Sequence, residues 1–458
     1  MDFLLNNKLC LSKMRTETRK VIRNIFTIDN PKYQDAQKNY RQTENIEPQL
    51  KFYEESLKDD IIILPRGAAK RIYMLCNSYN ESINIIDNRS ILKPVDFVFH
   101  GQLRSLQQPA VKSCLKKDFG LLEAPTGSGK TAMALYMIAQ RKQPALIVVH
   151  TLELLNQWQD KIVQFLGIPM DEIGMIGDGK FKIGKKITVA TVQTLRKKVD
   201  QVAPCIGYLI LDECHRAPAM QYVKVISQFD CKYMSGLTAT PWRRDGLSKV
   251  IFWHVGDVIG KIDKADLLKT GNLCNAEVHF IKTEFNTTVD ASNHYSSAMS
   301  EMIKDKARNN LISNTVATTF NNAGINLILS DRRNHCQRLH DMFFENGIKS
   351  EVLTGATSSK ERQRIIDNLH QGECKYLIAT GQLIGEGFDL AGISSIFLTT
   401  PIKFSGRLIQ YIGRSLRPAP GKNLAVIFDF VDILNPVFTA SARSRRYTYK
   451  NQKIKEAI

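Results

Sequence analysis

The sequence lacks several patterns that would at once assign it to a class of protein. Its nine cysteines, among 458 residues, are scattered and form no C-x-x-C pair, so neither a disulfide framework nor a zinc ribbon is indicated. No window approaches the roughly 18 apolar residues that a membrane-spanning helix needs. The first residues do not form the apolar core of a signal peptide, and no repeat is evident. We therefore expect an intracellular globular protein with reduced cysteines.

Acidic residues are too few to balance the basic ones. The 63 Lys and Arg exceed the 45 Asp and Glu, which leaves a formal charge of +18. Such a surface attracts anions, so nucleic acid, an anionic membrane and acidic proteins are all candidate partners, and solubility alone is the simpler explanation. The segment Ser441–Ile458 carries six Lys and Arg and one Glu. We expect it to be an exposed, mobile basic tail.

From about Gly120 onward, short apolar runs alternate with amphipathic stretches. Seven runs are typical of buried strands: Ala145–His150, Ile187–Ala190, Tyr208–Leu211, Leu327–Ser330, Tyr376–Thr380, Ile396–Thr399 and Ala425–Phe430. This alternation predicts an α/β protein with parallel sheets covered by helices on both faces. The runs fall into two blocks. The residues before them, up to about 95, have a different pattern and indicate a small mixed α+β domain.

The strongest chemical signal is the segment Ala124–Thr131, APTGSGKT, which precedes a helix-like stretch. Glycines let successive backbone N–H groups turn toward a phosphate, a Lys reaches the β- and γ-phosphates, and a hydroxyl ligates Mg²⁺. Gly127, Gly129, Lys130 and Thr131 meet these needs, although the first position holds Ala instead of the usual Gly. The segment predicts a site for ATP and Mg²⁺.

A second motif, Asp212-Glu213-Cys214-His215, follows the apolar run at Tyr208–Leu211. A carboxylate at the C-terminal end of a strand beside the phosphate loop is suited to bind Mg²⁺, and we assign that role to Asp212. Glu213 can orient and deprotonate the water that attacks the γ-phosphate. No other His or Cys lies at metal-ligand spacing from His215, so we expect a coupling hydrogen bond there.

Together with the segment Gly236–Gly246, GLTATPWRRDG, these motifs resemble superfamily 2 helicases and translocases. The likeness is greatest to the DNA-directed branch of XPB-type and UvsW-type enzymes, which includes bacteriophage recombination helicases, and it covers about Phe99 to Val431. It implies two tandem RecA-like domains, at residues 96–258 and 259–435. An N-terminal DNA-binding or accessory domain, 1–95, would precede them, and a basic tail, 436–458, would follow.

The resemblance also assigns roles to residues in matching segments. It implies nucleotide contacts from Arg104, Gln107, Pro125, Thr126, Gly127, Ser128, Gly129, Lys130, Thr131, Gly387 and Asp389. It implies contacts to the nucleic-acid backbone from Thr151, Gln193, Thr194, Arg332, Thr354, Gly355 and Thr380. Thr238 and Thr240 would act with His215 in coupling. Gln410, Arg414 and Arg417 would join Lys130 and Glu213 as catalytic residues, because guanidinium groups stabilise charge on a transferring phosphoryl group; a structural ion pair is the alternative for either Arg.

The implied activity is that of an ATP-dependent DNA helicase or translocase that acts on forks or Holliday junctions in recombination, repair or replication. We expect a monomer that tracks 3′ to 5′ along one strand, without a membrane, in the cytoplasm of a prokaryotic or phage-infected cell. The sequence indicates no particular protein partner. A duplex translocase and an RNA helicase remain alternatives, because both use the same ATPase core. A nucleotide-gated binding protein without turnover ranks below them.

The segment Phe26–Tyr53 mixes Lys and Arg with Phe and Tyr. Two interpretations are open. The aromatic and basic residues could contact a duplex or a junction arm, or the aromatic side chains could form the core of a small domain.

Overall fold

The protein is described from a computed structural model. The structure describes residues 1–38, 42–56, 58–216, 220–239, 247–319, 324–381, 390, 392–402, 408, 411–413, 415–416, 422 and 424–457. The chain forms two compact units, Met1–Asp263 and Lys264–Ile458.

Unit 1 begins with a five-stranded mixed sheet. Its first residues form the strands β1 (Asp2–Leu5), β2 (Lys8–Ser12), β3 (Thr27–Asp29), β4 (Gln49–Lys51), β5 (Glu54–Ser56), β6 (Ile61–Pro65) and β7 (Asn84–Asp87), and the helices α1 (Thr16–Ile25), α2 (Pro31–Lys38) and α3 (Ala69–Ser78). The sheet order is β5-β6-β2-β1-β7, and β3 pairs with β4 apart from it. Strands β2 and β6 alternate buried and half-exposed residues, as expected for a sheet with one face on a core.

The second sheet of unit 1 carries the phosphate loop. Its strands are β8 (Phe119–Glu123), β9 (Ala145–Val149), β10 (Gly174–Gly177), β11 (Lys180–Lys182), β12 (Ile187–Thr191), β13 (Tyr208–Leu211), β14 (Tyr233–Thr238) and β15 (Val258–Lys261), in the order β11-β10-β12-β9-β13-β14-β8-β15. Its helices are α4 (Gln107–Leu115), α5 (Lys130–Arg141), α6 (Leu152–Leu166), α7 (Val192–Leu195), α8 (Val199–Val202), α9 (Met220–Ile226) and α10 (Ser248–Val255). All neighbouring strands are parallel except the hairpin β10–β11.

The two sheets of unit 1 share a hydrophobic core through α10. Trp253 is buried in the cluster of the N-terminal sheet, with its ring centroid 4.7 Å from that of Phe26 and 5.3 Å from that of Phe52. Gly67 lies so close to α10 that a Cβ atom there would stand 2.7 Å from the carbonyl oxygen of Trp253. The aromatic residues Phe26 and Phe52 therefore serve as core residues, as the second interpretation of the segment expects.

Unit 2 contains a seven-stranded parallel sheet. Its strands are β16 (Asn275–Thr283), β17 (Ile325–Ser330), β18 (Ser350–Leu353), β19 (Tyr376–Thr380), β20 (Ile393–Leu398), β21 (Leu424–Asp432) and β22 (Lys455–Glu456), in the order β18-β19-β17-β20-β21-β16-β22. Its helices are α11 (Lys264–Lys269), α12 (Tyr295–Met302), α13 (Lys306–Thr318), α14 (Arg333–Glu345), α15 (Ser359–Gln371) and α16 (Pro436–Asn451). A buried ion pair between Arg308 of α13 and Asp432 of β21, 2.6 Å apart, fixes a helix to this sheet.

The predicted α/β class, with two parallel sheets after a mixed N-terminal sheet, is confirmed. All seven predicted strands are present. β15 belongs to the first parallel sheet and the compact units divide after Asp263, a few residues beyond the predicted boundary at 258. In the part of the chain that the structure describes, no helix is both long and apolar enough to cross a membrane.

The expected mobile tail from Ser441 is instead an ordered part of unit 2. Helix α16 packs its buried residues against the sheet, and β22 pairs with β16. The Arg445 guanidinium lies 2.7 Å from Asp429 of β21, and both side chains are buried. The expectation was wrong because it counted charges and overlooked Phe438, Ala442 and Tyr449, which share one face of the helix with Arg445.

We predict that Arg445→Met destabilises the protein strongly. The Asp429 carboxylate would remain buried without its cation, which typically costs about 3–5 kcal/mol. The exposed neighbour Arg446, which pairs with Glu456 and lies over the ring of Phe280, supplies the control, since Arg446→Met removes only surface contacts. Thermal unfolding of both variants tests this. Equal melting temperatures for the two would contradict a structural role for Arg445.

We also predict that His254 on α10 makes stability depend on pH. Burial lowers the pKa of His254 to about 4, whereas an unfolded His has a pKa of about 6.5. Between these values the unfolded chain binds a proton that the folded chain does not, so the free energy of unfolding falls as pH falls. His254→Leu cannot bind this proton, so at about pH 5 its free energy of unfolding should have fallen by about 2 kcal/mol less than that of the wild type.

The measurement is the melting temperature at about pH 7.5 and about pH 5, relative to the wild type. His370→Leu, which removes an exposed imidazole from α15, is the control and should retain the wild-type pH dependence. If His254→Leu also retains it, the prediction is wrong.

Candidate ATP site and nucleic-acid interface

The first parallel sheet gathers the predicted nucleotide residues at one edge. The C-terminal ends of its parallel strands lie together, and each is followed by a predicted site segment. The phosphate loop follows β8, Asp212 follows β13, and Thr238 ends β14, which lies between those two strands. Residues far apart in sequence thus become neighbours.

The phosphate loop has the backbone that its sequence predicts. Gly127 and Gly129 adopt φ angles of +87° and +82°, which favour glycine, and Gly129 precedes the first turn of α5. The Lys130 ammonium donates to the carbonyl of Ala124, 3.1 Å away. The buried Ser128 hydroxyl has no hydrogen-bond partner among the described residues. A polar cradle at a helix N-terminus is suited to a phosphate group.

Gln107 contacts the phosphate loop through its side-chain amide. The amide donates to the carbonyl of Ser128 at 2.7 Å and accepts from the backbone N–H of Arg104 at 2.8 Å. The side chain lies directly over Gly129, where any Cβ atom would overlap with it. Gln107 is buried, at 4% exposure, so it supports the loop in this structure. The nucleotide contact of Gln107 stays a prediction, as do the roles of Arg104, Pro125 and Thr126.

Trp158 holds the Asp212 carboxylate, a contact that the sequence did not reveal. The indole N–H of Trp158, on α6, donates to Asp212 Oδ2 at 2.8 Å, and both residues are buried. Burial raises the pKa of Asp212, the Glu213 charge raises it further, and the Trp158 hydrogen bond lowers it. Trp158 lies on the helix that Thr151, a predicted nucleic-acid contact, precedes. The one signal in the sequence is that a buried Trp usually needs an acceptor for its indole N–H, and this signal does not identify Asp212 as that acceptor.

Glu213 begins a polar chain that leads to the next strand. Its backbone has φ +46°, in the left-handed region that a non-glycine residue adopts at a cost. His215 Nδ1 lies 3.2 Å from Glu213 Oε2 and 3.3 Å from Thr238 Oγ1. Burial would raise the pKa of Glu213, but the hydrogen bond with His215 and the charge of Lys130 lower it overall. Two predicted coupling residues, His215 and Thr238, are therefore in contact.

Three predicted nucleic-acid contacts of unit 1 lie along the same edge. The Thr151 hydroxyl caps α6 by accepting from the backbone N–H of Leu154. Gln193 is exposed after β12, and its amide donates to the carbonyl of His150 at 3.1 Å. The Thr194 hydroxyl lies 3.1 Å from that of Thr191. Their contacts with nucleic acid stay predictions.

The corresponding residues of unit 2 lie at the C-terminal ends of three neighbouring strands. Arg332 follows β17, Thr354 and Gly355 follow β18, and Thr380 ends β19. The Arg332 guanidinium donates to the Ser296 hydroxyl at 3.2 Å. These residues share one edge of the sheet, as a strand-binding track requires, although their contacts with nucleic acid are untested.

Six predicted site residues lie outside the described part of the chain: Thr240, Gly387, Asp389, Gln410, Arg414 and Arg417. Their described neighbours are anchored in unit 2. The Tyr411 hydroxyl donates to the carbonyl of Gly381 at 2.5 Å, and the backbone N–H of Cys274 donates to Leu416 at 2.8 Å. The buried Lys422 ammonium donates to the carbonyl of Ser415, and burial lowers the pKa of Lys422 to about 8.

Comparisons with known proteins agree with the order of these motifs. Residues 100–243 match the family model "Type III restriction enzyme, res subunit", and residues 303–419 match "Helicase conserved C-terminal domain". The chain is 34% identical, over 41% of its length, to the DNA 3′-5′ translocase XPB2 of Sulfurisphaera tokodaii, of which it covers 42%. It is 21% identical to the ATP-dependent DNA helicase uvsW of Enterobacteria phage T4, over 86% of this chain and 84% of the relative.

A solved structure supports the fold. S. cerevisiae Dbp5 bound to RNA and ADP BeF3 is similar with a TM-score of 0.56 at 16% identity, over 78% of this chain and 90% of that chain. The phosphate loop, the Asp212-Glu213 pair and both helicase domains thus occur in one chain on two parallel sheets. The chain belongs to the superfamily 2 helicases, as an ATP-hydrolysing enzyme of the branch that includes the XPB-type and UvsW-type proteins.

Proposed function

We propose that this helicase is a DNA motor that acts on branched DNA, such as forks or Holliday junctions, in recombination, repair or replication. Two relatives bear the names of a DNA translocase and a DNA helicase. The charge of +18 favours a polyanionic track. An RNA helicase is the second candidate, because the Dbp5 structure is bound to RNA.

The Glu213–His215–Thr238 chain is the observation that carries the ATP-driven motor in this proposal, and the two DNA-directed relatives support its DNA substrate. Glu213 would activate the attacking water, and Lys130 would contact the β- and γ-phosphates. Thr238 also joins the loop directly, since its carbonyl accepts from the backbone N–H of Ala124 at 2.9 Å. A change at the γ-phosphate could thus move the end of β14, and the segment after it, which is how hydrolysis would drive movement.

The residues at this edge fit Mg²⁺. Mg²⁺ takes oxygen ligands and usually combines one or two carboxylates with water and substrate phosphates. Asp212 supplies a buried carboxylate, and Thr131, in the first turn of α5, supplies a hydroxyl. No group of three or more His, Cys, Asp or Glu side chains among the described residues could hold a metal ion by itself. Bound Mg²⁺ would neutralise charge on the phosphates during transfer.

The N-terminal sheet is proposed as an accessory part of this motor. Residues 1–95 carry 16 Lys and Arg and 12 Asp and Glu, a net charge of only +4. Several of the basic residues are paired, including Arg19 and Arg23 with Glu55. Deletion of the sheet would expose Trp253, so a test of its role needs surface substitutions.

We predict that Glu213→Gln abolishes nucleic-acid-stimulated ATP hydrolysis. The amide cannot accept the proton of the attacking water, and loss of a general base typically costs about 10²–10⁴-fold in rate. Phosphate release with and without single-stranded DNA measures this, and ATP binding by the variant is the control. If neither DNA nor RNA stimulates ATP hydrolysis by the wild type, the proposal is contradicted.

The choice of substrate is tested with one labelled strand placed in a fork, a Holliday junction, a D-loop, a simple overhang and an RNA duplex. We expect faster processing of the fork and the junction. Preference for the RNA duplex would favour the second candidate. Triplex displacement on blunt duplex without strand separation would identify a duplex translocase.

We predict that Trp158→Phe weakens the use of Mg²⁺. The ring would still fill the space, but Asp212 would lose the donor that orients it, and such supporting contacts typically contribute about 10- to 100-fold to metal affinity. The measurement is fluorescent-nucleotide binding as Mg²⁺ is titrated. Binding in EDTA and the melting temperature are the controls. An unchanged Mg²⁺ requirement would show that Trp158 only packs.

A further inference from the structure

We propose that Phe181, Arg196, Lys197 and Lys198 form an outer contact for a single nucleic-acid strand. These four residues are named the outer basic surface. Phe181 lies on the hairpin β10–β11, and the other three follow α7 directly. This inference rests on the proposed function, because it extends the track predicted at Gln193 and Thr194.

The charge of this region is predominantly positive. Residues 178–200 contain seven Lys and Arg and two Asp, Asp178 and Asp200, which leaves a net charge of +5. Arg196, Lys197 and Lys198 are all exposed. A cluster of like charges repels itself, and a polyanion is the partner that relieves this repulsion. Charge alone describes many solvated surfaces, so a second observation is needed to indicate the ligand.

An exposed aromatic ring supplies that observation. Phe181 is 37% exposed on the outermost strand of the sheet, and the Lys198 ammonium lies 4.2 Å from its ring centroid. Ring and cation together can bind a nucleotide: the ammonium turns from the ring to a phosphate, and the base takes its place on the ring face. Stacking of this kind requires an unpaired base, so the surface suits a single strand.

The outer basic surface continues the predicted track. Arg196 follows α7, which contains Gln193 and Thr194 and begins at the C-terminal end of β12. Lys180 of β11 pairs with Gly177, the last residue of β10, so the tip of the hairpin lies at the same edge of the sheet. Two strand spacings, about 10 Å, separate β12 from β11. A strand that contacts Gln193 could therefore extend over Phe181.

The hairpin is held firmly before any ligand binds. Asp178 and Gly179 have φ angles of +51° and +73°, the two positive values of a type I′ turn. At its base, the backbones of Gly174 and Gly184 are in such close contact that a Cβ atom on either would overlap with the other. Little ordering is then needed on binding, which favours affinity.

The charge component is tested with two matched triple variants of the full chain. Arg196→Gln/Lys197→Gln/Lys198→Gln removes three charges from the surface. Lys112→Gln/Lys116→Gln/Lys117→Gln removes three exposed charges from α4 and the turn after it. This turn leads into the N-terminal end of β8, whereas the predicted track follows the C-terminal ends of the strands. Anisotropy of a labelled single-stranded DNA gives the affinity at several salt concentrations. The first variant should reduce the slope of log affinity against log salt by about 2, and the control should not.

The aromatic component is tested with Phe181→Leu and Phe181→Trp. Leu keeps an apolar side chain but cannot stack, so single-strand affinity should fall about 5-fold or more, whereas Trp should retain it. Equal losses on blunt duplex would contradict stacking on an unpaired base.

The possible failures are distinguishable. Suppose that the Arg196/Lys197/Lys198 variant and Phe181→Leu both bind DNA like the wild type, while DNA still stimulates ATP hydrolysis. The proposed outer contact is then wrong, and the proposed motor function is unaffected. If the wild type binds no oligonucleotide, both proposals fail.

Discussion

Parallel strand pairing is the constraint on which the rest of this structure depends. It places the C-terminal ends of β8, β13 and β14 side by side, so that a phosphate loop, a carboxylate pair and a coupling threonine meet although more than a hundred residues separate the first from the last. Unit 2 repeats the arrangement with β17, β18 and β19. A sheet of alternating direction would divide these segments between two edges, and no common site would form.

Buried charges near these strand ends are each held by particular partners. Asp212 has the indole of Trp158, and Asp432 has Arg308 together with the hydroxyl of Thr283 at 2.6 Å. An unpartnered charge in such a position would cost several kcal/mol, so the partners allow polar chemistry at the edge of an apolar core. The supporting residues on neighbouring helices therefore matter to the site nearly as much as the residues that face the ligand.

Sequence reasoning predicted the strands that form uninterrupted apolar runs, and it missed the buried strand β14 because Ser235, Gly236 and Thr238 interrupt its run. The run at Tyr208–Leu211 is wholly buried, and its strand was predicted to the residue. β16 was missed because it lies near the sheet edge, where polar residues such as Glu277 and His279 interrupt its apolar pattern. The ordered α16 was missed because Arg445 counts as surface charge until its buried partner is known.

In the candidate site, too, features set by local sequence could be predicted, and contacts between distant residues could not. The phosphate loop could be predicted because its chemistry is local and requires particular residues at fixed spacing. The contact between Trp158 and Asp212 could not, since 54 residues separate the two and no spacing rule joins them. Gln107 shows the intermediate case: its position was predicted from resemblance, while its hydrogen bond to the loop appears only in three dimensions.

The packing around Trp253 restricts how the sequence of this protein can diverge. Its ring packs against Phe26, which precedes β3, and Phe52, which follows β4, while its own helix belongs to the motor. A smaller side chain at any one of the three positions would leave a gap that only a compensating enlargement at another could fill. We therefore expect these three positions to co-vary among related chains, so that the N-terminal sheet and the first motor domain are inherited and exchanged as one block.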